Sequence, residues 1–168
     1  VEFNNKIYHL GGPVTGGYIN SSFSTTDMNN WTEVSSDLNC TGCNNKLENG
    51  AESFFVYNNK IWALGGNDRN NGDLWSTSNA ITWTNEVTCF YLPDPSWCSG
   101  SNRLQGHTFL TFNSKFWIIA GQDSNYNNRV IYSSNATSWD NATNSAGFGY
   151  RTEHASVVFD NKMWVFGG

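Results

Sequence analysis

The sequence predicts an all-β fold assembled from repeated four-stranded antiparallel units. Three observations carry that prediction. First, aromatic and turn-forming residues dominate the 168-residue chain: 16 Gly, 8 Trp, 7 Tyr and 11 Phe, with only 14% charged residues against about 25% in an ordinary soluble domain. Short aromatic strands broken by tight turns give such a mixture, and helices do not. Second, one ten-residue motif recurs four times in register. Third, a motif with Asp or Asn four positions before a Trp recurs three times between those copies.

The first motif reads FNNKIYHLGG at 3–12, YNNKIWALGG at 57–66, FNSKFWIIAG at 112–121 and FDNKMWVFGG at 159–168. Its lysines, Lys6, Lys60, Lys115 and Lys162, are spaced by 54, 55 and 47 residues. Asn-Asn or Asp-Asn before the lysine is a turn that tolerates left-handed backbone. The lysine and the alternating residues after it start a second strand, and the Gly pair is expected to end it in a sharp, close-packed exit. The second motif occupies STTDMNNWT at 24–32, STSNAITWT at 76–84 and SSNATSWD at 133–140. In it Asp27, Asn79 and Asn135 precede Trp31, Trp83 and Trp139, so an Asx side chain caps a turn between a third and a fourth strand and the Trp closes over it. A third element precedes the lysine, where His107 and His154 each stand eight residues before Lys115 and Lys162.

Four antiparallel strands in about 50 residues make one blade of a β-propeller. The expected units are 1–44, 45–98, 99–146 and an incomplete 147–168, about three and a half blades. The His-x7-Lys spacing, the Lys-apolar-aromatic-x-x-Gly-Gly run and the Ser-x-Asx-x3-Trp element resemble Kelch repeats, and are closest to the propellers of galactose-oxidase-like and microbial surface proteins. The resemblance covers nearly the whole chain. A ring of about four to eight blades near 50 residues each needs at least roughly 200 residues, so the chain is expected to be part of a longer protein. Its remaining blades would come from the rest of the propeller or from a neighbouring chain.

Composition narrows the partners. Net charge is −5 and the nine basic residues are scattered, so the positive stripe that nucleic acid requires is missing. No run of about 18 apolar residues suggests a membrane span, and the opening VEFNNKIYHL does not read as a signal peptide.

The four cysteines fall in two comparable loops, each between a repeat Trp and the next unit. Local staples, Cys40–Cys43 and Cys89–Cys98, are the expected arrangement in an oxidising compartment. Zinc would need both loops to converge tetrahedrally, and a redox Cys-x-x-Cys would normally open a helix in an α/β unit; other pairings and free thiols are the remaining alternatives. Asn-x-Ser/Thr sequons occur at Asn20, Asn30, Asn39, Asn135 and Asn141. Chance yields about as many in so Asn-rich a chain, but all five fall in predicted turns or loops that tolerate glycan.

A galactose-oxidase-type copper site would need two His and two Tyr ligands around the ring axis. His107 and His154 instead hold repeat-equivalent positions, where the second unit carries Glu52, and His9 lies on a second strand with no evident partner. Repetition marks scaffold rather than site, so no metal, cofactor or catalytic residue is assigned. Arg69, Arg103, Arg129 and Arg151 raise a carboxylate-binding cluster, as in sialidase propellers, but the Asx-to-Trp spacing suits Kelch-type blades better and surface or inter-blade pairing is expected. Tyr8, Trp62, Trp117 and Trp164 share one strand register; these Trp and Trp31, Trp83 and Trp139 are expected in the core, as is Trp75, read as aligned with Phe23 and Tyr132. Trp97 alone lies outside the repeat, in a Pro-containing loop between two cysteines, and is the candidate recognition residue.

The functional expectation is a non-enzymatic extracellular or cell-surface scaffold for protein or glycan contacts, part of a larger surface or filament glycoprotein. The alternatives are a fragment of a carbohydrate oxidase or glycan hydrolase and an intracellular Kelch adaptor.

Overall fold

The computed structural model describes residues 1–14, 17–35, 53–64, 74–87, 106–122 and 126–168, with the backbone alone at 12–14, 17–20, 87 and 126. Every regular element among them is a strand. The chain divides into two compact units, Val1–Thr88 and Cys89–Gly168.

The first unit holds two four-stranded antiparallel sheets. One runs in the order β1 (Glu2–Phe3), β2 (Lys6–Val14), β3 (Gly17–Thr25) and β4 (Thr32–Ser35); the other runs β5 (Ser53–Tyr57), β6 (Lys60–Leu64), β7 (Leu74–Thr77) and β8 (Thr84–Val87). The second unit holds a third four-stranded sheet, β9 (Thr108–Phe112), β10 (Lys115–Gln122), β11 (Tyr126–Ser133) and β12 (Asp140–Thr143). It also holds a two-stranded hairpin, β13 (Ala155–Phe159) and β14 (Lys162–Phe166). Sequence neighbours are sheet neighbours throughout, as short connections require.

The four lysines open β2, β6, β10 and β14, as the repeat predicts. Before each stands a two-residue turn with both residues left-handed: Asn4 and Asn5 at φ 49° and 57°, Asn58 and Asn59 at 46° and 54°, Asn113 and Ser114 at 50° and 55°, Asp160 and Asn161 at 50° and 53°. This turn geometry matches the strand twist and favours Asn and Asp. It sets one register everywhere: Phe3 opposite Lys6, Tyr57 opposite Lys60, Phe112 opposite Lys115 and Phe159 opposite Lys162.

The expected exit at Gly-Gly is not where β2 and β10 stop. Both run on, to Val14 and Gln122, through a bulge at the same repeat position. Gly11 and Ala120 take left-handed φ of 57° and 51°, between the pairs Leu10–Ser22 and Gly12–Ile19 and the pairs Ile119–Val130 and Gly121–Asn127. A left-handed residue in a bulge sharpens the twist without ending the pairing. In the second sheet β6 ends at Leu64, and residues 65–73 lie outside the described region.

In the first unit Phe3 and Leu10 of the first sheet meet Ile61, Ala63, Trp75, Ala80 and Trp83 of the second in one apolar cluster, with Tyr8, Val34, Phe54 and Val56 packed on it. In the second unit Ile119, Ala120 and Val130 are covered by Phe148 and by Met163 and Val165 of β14. The period of two on β14 turns the alternate residues outward, so Trp164 is 41% exposed and stacks on Phe166. Trp31 is 42% exposed, against 2% for Trp83. The expectation that every repeat Trp is core therefore fails for Trp31 and Trp164. Trp83 belongs to the cluster shared by two sheets.

Candidate functional site

The residues most suggestive of chemistry are the Asx motifs, the repeat lysines and the buried histidines, and each is built from local rules. In the first sheet the Thr25 hydroxyl oxygen accepts the backbone N–H groups of Asp27 and Met28, while its O–H donates to Asp27 Oδ1 at 3.0 Å. Asp27 Oδ1 then accepts the N–H groups of Asn29 and Asn30, each at 2.9 Å. Thr77 and Asn79 repeat every one of these bonds in the second sheet, with Ile81 and Thr82 as donors. Ser133 and Asn135 repeat them in the third, with Thr137 and Ser138. The third turn residue is left-handed in each case: Met28, Ala80 and Ala136, at φ 65°, 59° and 65°.

Asp27 differs from its Asn counterparts in carrying charge. The Asn30 amide donates to its second carboxylate oxygen at 2.8 Å. The Asn30 and Asn29 backbone donors, the Asn30 side chain and the Thr25 hydroxyl hold the Asp27 carboxyl well below the usual carboxylate range.

The indoles of the second-strand register are also tied down. Nε1 of Trp62, Trp117 and Trp164 donates to the carbonyl of Tyr57, Phe112 and Phe159, at 3.1, 3.0 and 2.9 Å. Trp139 Nε1 donates to the Ala136 carbonyl.

The lysine heads diverge between sheets. Lys60 Nζ sits 2.9 Å from Glu86 Oε1 and donates to the Ser76 hydroxyl at 3.2 Å. Lys115 Nζ lies over the Tyr132 ring, 4.0 Å from its centroid, a cation–π contact. The strand pairing puts Tyr132 opposite Trp117, in the place that Ser76 takes opposite Trp62 and Ser24 opposite Tyr8. Tyr132 is therefore not the counterpart of Trp75 and Phe23, as the sequence alignment has it. That position belongs to Ile131, one residue earlier and on the opposite face.

Beside Lys6 the first sheet carries a cleft of about 380 Å³, lined by Lys6, Ser24, Thr26, Asn30, Thr32 and Glu33, with Thr25, Asp27 and Val34 completing its wall.

His154 and His107 are each 6% exposed. His154 Nε2 is 2.8 Å from the Thr108 hydroxyl, linking the start of the hairpin to β9. Burial, then the neighbouring Arg151 charge, pushes the His154 pKa down, opposed by the Ile119 backbone. His107 meets Phe109 edge-on at 5.1 Å, and His9 is exposed on β2. Among the described residues no group of three His, Cys, Asp or Glu side chains is placed to hold a metal ion. Arg151 donates to the carbonyls of Gly167 and Phe148 and lies over the Phe148 ring.

Of the sequence candidates, Cys40, Cys43, Cys89, Cys98, Asn39 and Trp97 lie outside the described residues, as do Glu52, Arg69 and Arg103. Asn20 falls on β3, within a strand rather than a loop. Asn135 uses its carbonyl oxygen in the Asx turn, Asn30 gives its amide to Asp27, and Asn141, on β12, gives its amide to Asn144. Sequence reasoning missed the position three residues after the repeat Trp, held by Val34, Glu86 and Ala142. Reading on from each Trp would have found it.

No family model matches the chain, and no curated protein matches it. Among solved structures its fold is similar to one described as "Structure of YjhT", with a TM-score of 0.64 and 12% sequence identity over 97% of this chain. The chain spans 56% of the length of that structure. At that identity the likeness concerns the fold alone: an all-β protein of antiparallel sheets. No helix among the described residues is long and apolar enough to cross a membrane.

Proposed function

We propose that the chain is part of a Kelch-type β-propeller that serves as a non-enzymatic, extracellular scaffold for protein or glycan contacts. The observation carrying this reading is the threefold repetition of the Thr/Ser–Asx turn, bond for bond, in three sheets. Side chains that could serve chemistry are spent on holding turns, as repeated position in an array implies. The four-stranded sheets joined in sequence order are compatible with propeller blades. The two cysteines in each of two comparable loops, expected as local staples, and the sequons support secretion. The contacts themselves would be made by loops and by such residues as Trp97.

An enzyme reading survives on one observation. The chain spans about half of the solved structure it resembles, so a catalytic centre could be completed by segments beyond these residues.

The test is metal analysis and His107→Gln in the native protein. The scaffold reading expects no stoichiometric copper and unchanged partner binding in the folded variant. A folded His107→Gln that loses a metal-dependent turnover contradicts it.

A further inference from the structure

The three sheets treat one lysine position in three ways. In the second, Lys60 and Ser76 together hold the Glu86 carboxylate, with the Ser76 hydroxyl donating to Oε1 at 2.5 Å. In the third, Lys115 is covered by the Tyr132 ring. The first sheet has the lysine and the serine, Lys6 and Ser24, but Val34 occupies the place of Glu86 in the bulge of the fourth strand. There the space opens as the 380 Å³ cleft, with a lysine and a serine in the positions that grip a carboxylate one sheet away.

We propose that this cleft binds a hydroxylated carboxylic acid, a uronic-acid-type sugar by class, whose carboxylate takes between Lys6 Nζ and Ser24 Oγ the place that Glu86 takes in the second sheet. The proposal rests on the glycan-contact reading above and names its ligand. Volume supports a ligand larger than a carboxylate alone, since small-molecule sites begin near about 300 Å³. Of the rest of the lining, Thr26 and Thr32 offer hydroxyls suited to a polyol, while Thr25 and the Asn30 amide are held by Asp27. Of the two acidic residues in the wall, Asp27 has its charge engaged by the turn donors. Glu33 opposes an anionic ligand, which gives the proposal a sign to test.

The experiment titrates the isotope-labelled protein with sodium glucuronate and follows the amides of Thr25, Thr26 and Val34 by NMR, with glucose and ethylammonium as neutral and cationic controls. Glucuronate is expected to shift them saturably and glucose not. Lys6→Met should weaken binding about tenfold, the loss of one charge-assisted contact, and Glu33→Gln should strengthen it. Equal binding of glucose, tighter binding of ethylammonium, an unaffected Lys6→Met or no saturable shift with glucuronate each overturns the proposal. Failure here in a native protein that is glycosylated and without turnover removes the cleft and leaves the scaffold reading in place. Glucuronate binding by a protein that proves to be an enzyme does the reverse.

Discussion

Lys60 Nζ and Glu86 Oε1 lie 2.9 Å apart, and the Ser76 hydroxyl donates to the same carboxylate oxygen. The Ser76 donation first, and Lys60 after it, outweigh the cost of burial and hold the Glu86 carboxyl below the ordinary glutamate range. A depressed folded-state pKa contributes stability above the unfolded value of about 4.3 that is lost as pH falls through the folded value. Urea midpoints should therefore decline with acid in that window, and Glu86→Gln should flatten the decline. The difference at pH 7 should stay within about 1 kcal/mol, since the Lys60 side chain is 40% exposed and solvent screens the pair.

His154 titrates higher. Its pKa is pushed below the usual 6.5 by burial and by Arg151, so the unfolded chain binds its proton more readily than the folded one. Stability should fall as pH drops through about 6.5 towards the folded value, and level off below it. Thermal melts from pH 8 to 5 check this. The slope should shrink in His154→Gln, which keeps a polar group facing Thr108.

The Asx turns predict a chemical equivalence. Asn79 Oδ1 accepts two backbone N–H groups, so Asn79→Ala should cost about 1–3 kcal/mol. Asn79→Asp should cost under about 0.5 kcal/mol, because Asp27 makes the same bonds in the first sheet. Chemical denaturation of the two variants decides it.

The repeat tryptophans are unequal despite their equal positions. Trp83→Ala should destabilise by about 3–5 kcal/mol, against under about 1.5 kcal/mol for Trp31→Ala, whose ring is already 42% exposed. Trp83→Phe should cost far less than Trp83→Ala, because the indole N–H of Trp83 finds no acceptor among the described residues. Denaturant midpoints rank the three.

These contrasts mark what the sequence could and could not reveal. Turns are local, so Asn4-Asn5 and Asp160-Asn161 announce left-handed pairs, and Thr77 with Asn79 announces a cap. The strand starts at the lysines follow from the same short-range signals. A glycine pair serves equally as an exit or as a bulge, so the sequence does not separate the two at Gly11, and Ala120 takes the same conformation without glycine. Burial of Trp83 but not Trp31 depends on which sheet lies opposite, which no ten-residue motif encodes. The different surroundings of Lys6 and Lys60 turn on a bulge residue, Val34 or Glu86, that the repeat leaves unconstrained. Sequence alignment sets Tyr132 one residue out of register, and the strand pairing brings it beside Lys115.

The proposed function makes this chain part of a larger secreted propeller scaffold. Its most direct test is the intact mass of the native protein, measured without reduction and again after glycosidase and after reductant. The expected result is a mass well above 18.8 kDa, a drop on glycosidase treatment, and cysteines that react with alkylating agent only after reduction. A native mass of 18.8 kDa, no glycan and thiols that alkylate at once would contradict it.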